Sequence, residues 1–497
     1  MCQSNSRALN VYSRIQTFKN TYHLPRLPTP DSRLPTPDSR LPTKKTPMSY
    51  HLGLDLGTTS AKACAFSPDG KMLEECQEAY ELNETAAGAA EQDPEEVLSA
   101  AGRALTSLIK KLGEPPLGIG ISAAMHSVIL LDEHYQPLTQ VITWADTRAS
   151  VDQFSEEEKK ELLRRTGTPV HPMSPLVKLN FLADEFPGIW SQAKYVSDLK
   201  SLIVHRWTTD GLLIDTNLAS ATGLYNLQEK AWDQDALAIA RIEQEQLPTT
   251  VVPTTRLNWQ PEIAKKMGLP SEIPLFIGGS DGCLANLGSG LLEPGQIALT
   301  IGTSGATRTT HRSPTIDPKL GLFNYHLIDD LYVMGGASNN GGKLLEWCHE
   351  FFGNHFESIR KMLEAAKDAD CNGLIFEPYL YGERAPIYDA TATASFKGMR
   401  GHHRSEQYAK AVIEGITDNM VRIIQDVEAG SQKAERIVAS GGFTRSDWWV
   451  ELFEKKSGRE VVVAETPQAS AYGAVLMARI GLGEISLDDL KSTHPRG

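Results

Sequence analysis

Two stretches, Leu54-Asp-Leu-Gly-Thr-Thr-Ser60 and Leu299-Thr-Ile-Gly-Thr-Ser-Gly305, carry the same device. In each, an apolar strand runs into a glycine, then two small, mostly hydroxyl residues, then a second strand-like run. A tight turn of small residues leaves backbone N–H groups pointing outward, and the neighbouring hydroxyls add donors. The result is a concave site suited to phosphate. One such hairpin is a weak signal. Two, in separate halves of one chain, predict a duplicated domain that grips a nucleotide's phosphates from both sides.

The rest of the chain is compatible with that prediction. At 497 residues it exceeds a single small core, so at least two domains are expected. A formal net charge of -13 argues against a nucleic-acid or anionic-membrane binder, while leaving room for a small anionic substrate held by a few local cations. Six cysteines are scattered without a Cys-x-x-Cys pair, the pattern of reduced thiols in a cytoplasmic protein. No apolar run reaches transmembrane length. The first 47 residues differ from all the others: Arg26-Leu-Pro-Thr-Pro-Asp-Ser32 repeats at once as Arg33-Leu-Pro-Thr-Pro-Asp-Ser39. A proline-rich tandem repeat has nothing to bury, so residues 1–47 are expected to be a disordered tail. Met48 is the expected natural start, two residues before the first strand.

From residue 49 the pattern is α/β. Strands are expected at His51–Leu56, Leu117–Ser122, Val128–Leu131, Pro274–Ile277, Gln296–Ile301, Leu331–Gly335 and Arg436–Ala439. Helices are expected at Pro94–Leu112, Gly342–Phe352, Ser405–Gly430 and Ser446–Gly458. Asp93-Pro94-Glu95-Glu96 supplies a cap, a first-turn proline and two first-turn acids. Opening hairpins followed by strand–helix alternation predict two ribonuclease-H/actin-like domains with a nucleotide cleft between them. The boundary is expected at Gly288–Gly295, giving domains 48–290 and 291–497.

Several motifs fail on inspection. Gly336 to Lys343 is no P-loop, since Ala337 and Leu344 stand where glycine and Ser/Thr are required. His349-Glu350 meets Gly353 where a zinc protease needs its second histidine, and His402-His403 reads as a solvated turn. No metal cage emerges, so a metal is expected to arrive with the nucleotide as Mg²⁺. Gly278-Gly-Ser-Asp-Gly282 does fit Gly-x-Ser-x-Gly, which makes a hydrolase with nucleophile Ser280 a rival reading. That rival leaves both phosphate hairpins and the late Gly441-Gly442 turn unexplained. Asp281, in the same turn, is either a helix cap or a general base.

A resemblance weighs between these alternatives. From about Tyr50 to Gly481 the sequence resembles the FGGY family of carbohydrate kinases. Family-wide matches are Asp55-Leu-Gly-Thr-Thr-Ser60, Thr143-Trp-Ala-Asp-Thr-Arg148, Met173-Ser-Pro-Leu-Val-Lys178, Asp281, Gly302-Thr-Ser304, Gly382-Glu-Arg-Ala-Pro386 and Ser440-Gly-Gly-Phe443. Nearer to gluconate-phosphorylating members are Ser122-Ala-Ala-Met-His-Ser127, Ala221-Thr-Gly-Leu224, Ser280-Asp-Gly-Cys-Leu-Ala-Asn286 and Asn339-Asn-Gly-Gly342. The chain departs at Phe181, where Trp is usual, at Ala392-Thr-Ala394, where Ala-Arg-Gly is usual, and at Lys410, a frequent arginine.

The resemblance implies ATP-dependent phosphorylation of D-gluconate to 6-phospho-D-gluconate. It implies that Thr58, Thr59, Lys62, Gly302 and Thr303 cradle the ATP phosphates and that Asp55 holds Mg²⁺. Gly342 and Gly442 would lie against the adenosine. Met125, His126, Trp144, Asp146 and Arg148 would form the sugar side, with Asp281 taking the proton of the attacking hydroxyl. A substrate carboxylate suits Arg148 or His126; for Trp144 and Met125, plain core packing is the competing reading. Expected partners are the sugar acid and ATP, without nucleic acid or membrane, and a homodimer is left open. The alternatives are another family substrate such as xylulose, a catalytically idle actin-like nucleotide binder, and the Ser280 hydrolase.

Overall fold

The computed structural model describes residues 49–85, 87–464 and 468–493. The proline-rich repeat, and with it the expectation of a disordered tail, lies outside the described residues.

Two six-stranded sheets organise the molecule. The first runs Arg256–Leu257, Leu275–Ser280, Ile119–Ala123, His51–Leu56, Ser60–Phe66, Met72–Ala79. The second runs Phe323–Ile328, Leu331–Ser338, Gly305–His311, Gln296–Ile301, Arg436–Ser440, Glu460–Val463. Set aside one edge strand at opposite ends, Arg256–Leu257 and Phe323–Ile328, and the two sheets coincide. An antiparallel meander of three strands is followed by two strands parallel to the first. This is the ribonuclease-H-like order expected from the hairpins. Strand His51–Leu56 is covered on both faces and reads as a nearly continuous apolar run for that reason.

Local chemistry sets the helices. Pro94–Leu112 opens where Asp93 accepts from the amides of Glu95 and Glu96, a cap worth about 1 kcal/mol, and stops at Gly113 with φ 79°. Its small and aliphatic face (Val97, Ala101, Ala104, Leu108) packs into the first core. Ser405–Gly430 does the same in the second core through Val412, Ile416 and Ile423. Both helices and strand Gln296–Ile301 have the bounds read from sequence. Some strands are longer than their apolar runs: Leu331–Ser338 continues through Gly335, where both neighbours pair with it, and on to Ser338 because strand Gly305–His311 still pairs with it there.

Between strands Ile119–Ala123 and Leu275–Ser280 lies a large insertion with its own core of Val128, Ile142, Leu176, Leu218 and Trp232. It contains helices Glu156–Thr166, Pro175–Glu185 and Leu199–Trp207, of which the last packs its Leu202, Ile203 and Trp207 into the first core.

Helix Ala469–Gly481 follows the second sheet in the chain yet packs on the first. A Cβ at Gly53 would stand 2.1 Å from Ala471 O, and one at Gly120 would stand 2.0 Å from Ala474 O. Only glycine in the two adjacent strands lets the helix backbone come this close. No helix among the described residues is long and apolar enough to cross a membrane.

Candidate active site

Each of the two hairpins is tied down through its carbonyls. In the first, Gly57 N donates to Ser60 O (3.0 Å), Tyr80 Oη to Gly57 O (2.5 Å) and Gln92 Nε2 to Thr58 O (2.7 Å). In the second, Gly302 N donates to Ser304 O (2.9 Å), Gly342 N to Gly302 O (2.6 Å) and Lys343 N to Thr303 O (3.1 Å). Within the described residues no hydrogen bond takes up the amides of Thr58, Thr59, Thr303 or Ser304. These uncommitted donors, with the hydroxyls beside them, are chemically suited to phosphate oxygens.

Glycine serves two purposes here. Nothing lies within 4 Å of a Cβ built on Gly302 or Gly442, so both present bare backbone to open space. At Gly342 a Cβ would stand 2.7 Å from Gly302 O, so this glycine lets helix Lys343–Phe351 start against the hairpin. Thr59 is exposed, and Lys62 stands opposite Asp55 across the first hairpin.

Both hairpins open into one cleft of about 190 Å³, lined among others by Thr58, Ser304, Met125, His126, Trp144 and Asp281. Asp281 begins helix Asp281–Gly288, with Ser280 at the cap position. Its carboxylate accepts from the amide of Gly282 (2.6 Å). Burial and the neighbouring Asp55 push its pKa up to about 6, against the pull of Arg308. Asp55 is raised too, chiefly by burial, despite the hydrogen bond from Ser122 Oγ (2.7 Å) and the charge of Lys62. Two neighbouring carboxylates, one raised by burial and the other by burial and its neighbour's charge, are chemically suited to a divalent cation or a proton in transit. Among the described residues no group of three or more His, Cys, Asp or Glu could hold a metal by itself.

On the opposite wall, His126 sits at φ 67°, with Nδ1 on Ala221 O (2.7 Å) and Nε2 facing Tyr325 Oη (3.3 Å). Its pKa falls to about 3, first through burial and then through Lys178, so the ring is neutral. Lys178 itself is buried and lowered to about 7 by burial. Its ammonium donates to His126 O (2.6 Å) and Met173 O (2.8 Å), fixing the backbone behind both cleft side chains. Trp144 Nε1 donates to Thr58 Oγ1 (3.0 Å), joining this side of the cleft to the first hairpin.

The remaining two expected sugar residues lie elsewhere. Asp146 is buried, accepting from Ala90 N (3.0 Å) and from Arg148, and lines no part of the cleft. Arg148 is paired with Asp146 (2.7 Å) and Glu91 (2.5 Å), stacks over Phe181 (5.2 Å), and borders a different cavity. A neutral histidine and a doubly paired arginine are poor seats for an incoming carboxylate. Ser280 is fully buried, and no histidine among the described residues hydrogen-bonds its hydroxyl, which removes the hydrolase reading.

Sequence reasoning gave no role to two cleft cations, Arg308 and Arg384. Arg308 lies inside strand Gly305–His311, where a lone arginine in a run of small and hydroxyl residues was the available signal. Arg384 was visible within Gly382-Glu-Arg-Ala-Pro386, but nothing in that spacing says it faces the cleft.

Residues 50–288 match the N-terminal domain of the FGGY family of carbohydrate kinases, and residues 297–482 match its C-terminal domain. The chain is 37% identical to a gluconokinase of Bacillus licheniformis and 38% identical to one of Bacillus subtilis (strain 168), each over 89% of this chain and 90% of that protein. A xylulose kinase of Lactococcus lactis is 28% identical over 88% of both chains. Among solved structures, a gluconate kinase and a ligand-bound xylulose kinase, both of Lactobacillus acidophilus, superpose with TM-score 0.85 at 35% identity, covering 89% of this chain and 92% of theirs. Matched across both halves, with the duplicated sheets and the cleft between their hairpins, the chain belongs to the FGGY family of carbohydrate kinases.

Proposed function

We propose that the protein phosphorylates D-gluconate at the expense of ATP, giving 6-phospho-D-gluconate. The observation that carries the reaction class is Asp281: a carboxylate with its pKa near 6, in a cleft shared by two hairpins with uncommitted amides. The substrate follows from similarity, which is clearly greater to the gluconokinases (37–38%) than to the xylulose kinases of Lactococcus lactis and Staphylococcus epidermidis (28–30%).

ATP supplies the transferred phosphoryl group, and positioning with charge neutralisation carries most of the catalysis. The amides and hydroxyls of Thr58, Thr59, Thr303 and Ser304 suit phosphate oxygens, with Lys62 adding charge on the first side. Bare backbone at Gly302 and Gly442 leaves room for a nucleotide, and Gly342 keeps the second hairpin in place. Asp55, facing Asp281 and held by Ser122, is the residue to hold Mg²⁺ directly or through water. Asp281 accepts the proton of the attacking hydroxyl. A base with pKa near 6 is ionised at neutral pH yet still basic enough to take that proton as the oxygen–phosphorus bond forms. Met125, His126 and Trp144 offer carbon faces and a neutral imidazole to a polyhydroxyl chain. Division of the chain near 288–295 gives two bodies that close on the cleft and exclude water. The free, mostly buried thiols suit a cytoplasmic location.

A ketose substrate is the second reading, favoured by the similarity to the ligand-bound xylulose kinase of Lactobacillus acidophilus. ADP release across aldonates, ketoses and polyols separates the two. The proposal expects the highest kcat/KM with gluconate.

A further inference from the structure

Two arginines line the cleft, and neither forms an ion pair with a carboxylate among the described residues. Arg384 is 9% exposed, and its side chain makes one hydrogen bond among the described residues, from Nη2 to Ser338 O (3.2 Å). Its Nε is buried with no partner. The neighbouring Glu383 is unavailable to it. That carboxylate is consumed by Ser338 Oγ (2.7 Å), Asn419 Nδ2 (2.9 Å), Asn340 Nδ2 (3.2 Å) and the amides of Asn339 (2.9 Å) and Arg384 (2.8 Å). The same network fixes the loop, so Arg384 is held rigidly over the Trp144 ring at 5.2 Å. Arg308, across the cleft, has no hydrogen bond or ion pair among the described residues and acts electrostatically on both Asp281 and Arg384.

A buried guanidinium with spare donors carries a desolvation cost that a bidentate carboxylate offsets best. Arg148 shows the contrast within the same protein, because two carboxylates already pair with it. Resting on the gluconate reading above, we infer that Arg384, flanked by Arg308, is the subsite for the substrate carboxylate, and that Arg148 is structural. The acid end of the chain then lies beside Arg384, Trp144 and Tyr388, leaving the far hydroxyl for Asp281. Arg384 belongs to a segment matched across the family. Arg308 belongs to none of the matched motifs, and it supplies the second cation that makes the pair selective for an anion.

The test compares gluconate with glucitol, in which a hydroxymethyl group replaces the carboxylate, in the full-length enzyme with ATP. Arg384→Gln should raise the KM for gluconate by roughly 10–100-fold, the range for a lost charged hydrogen bond, while the KM for glucitol and for ATP move less than about threefold. Arg308→Gln should shrink the same preference by a smaller factor, and Arg384→Lys should restore part of it. Arg148→Gln should leave the gluconate-to-glucitol ratio intact. Melting curves for each variant separate misfolding from lost recognition, and Arg308→Gln tests the pair if Arg384→Gln does not fold. If wild type prefers gluconate and that preference survives both cleft variants, or collapses in Arg148→Gln, the carboxylate assignment is overturned while the gluconate reading stands. If wild type shows no preference for gluconate over glucitol, both fall.

Discussion

Asp55 and Thr300 occupy the same place in two copies of one hairpin. Each lies two residues before the turn glycine, and each pairs across a parallel strand with a serine, Ser122 in one half and Ser440 in the other. Both serines bond to their partner: Ser122 Oγ to Asp55 Oδ1 at 2.7 Å, and Ser440 Oγ with Thr300 Oγ1 at 2.9 Å. The scaffold is the same and the charge is not. In the first half the site holds a carboxylate facing a second one, Asp281, and both are raised in pKa by burial. In the second half the same site is a neutral hydroxyl pair. Duplication therefore supplies two turns of similar backbone shape that differ in charge, and the proposed function puts its chemistry in one of them. A symmetric pair of acids would surround a polyphosphate with negative charge; the neutral copy avoids that repulsion.

The sharpest way to break this asymmetry is to remove the proposed base. Asp281→Ala is expected to lower kcat by ~10²–10⁴-fold, with ATP binding retained in a calorimetric titration. Next comes the pair that defines the comparison. Asp55→Ala should cost ~10²-fold in kcat, the scale of a lost electrostatic clamp on a transferring group. Thr300→Val should stay within about threefold and show its effect in the melting temperature, at about 1 kcal/mol for one hydrogen bond. Equal losses in the two variants would mean that the halves share the chemistry.

A third expectation concerns pH. With the Asp281 pKa near 6, kcat/KM should fall tenfold per pH unit below about 6 as the base is protonated. Arg308 holds that pKa down, so Arg308→Gln should move the acid limb upward. The smallest effect is on stability. Asp281 binds its proton more tightly in the folded state than at its ordinary value of 3.8. Between that value and about 6 the native state holds more protons, so this group's contribution falls as pH rises. Asp281→Asn should raise the melting temperature above pH 6, and the gain should shrink as pH approaches 4.

Local signals made the fold legible. The two hairpins announced the duplication, and capped helices such as Pro94–Leu112 have the bounds their sequence declares. Helix Ala469–Gly481 was not legible, because its place depends on Gly53 and Gly120, glycines more than 300 residues away that read as ordinary strand residues. The same limit applies to the site. Asp55, Asp281 and both turns stand where strand ends put them, so motif reading reached them. The sugar wall depends on side-chain pairing that spacing does not encode. Asp146 and Arg148 satisfy each other and turn inward, and His126 is neutral because Lys178 and burial surround it. Arg384 faces the cleft because Glu383 is fully engaged with Ser338, Asn340 and Asn419.

The most direct measurement of the central claim is steady-state ADP release by the purified full-length protein with ATP and Mg²⁺, across gluconate, xylulose, glycerol and glucitol. The account predicts the highest kcat/KM with gluconate, a product phosphorylated at the terminal hydroxyl, and loss of that turnover in Asp281→Ala. A higher kcat/KM with xylulose would contradict the substrate assignment, and ADP release that survives in Asp281→Ala would contradict the mechanism.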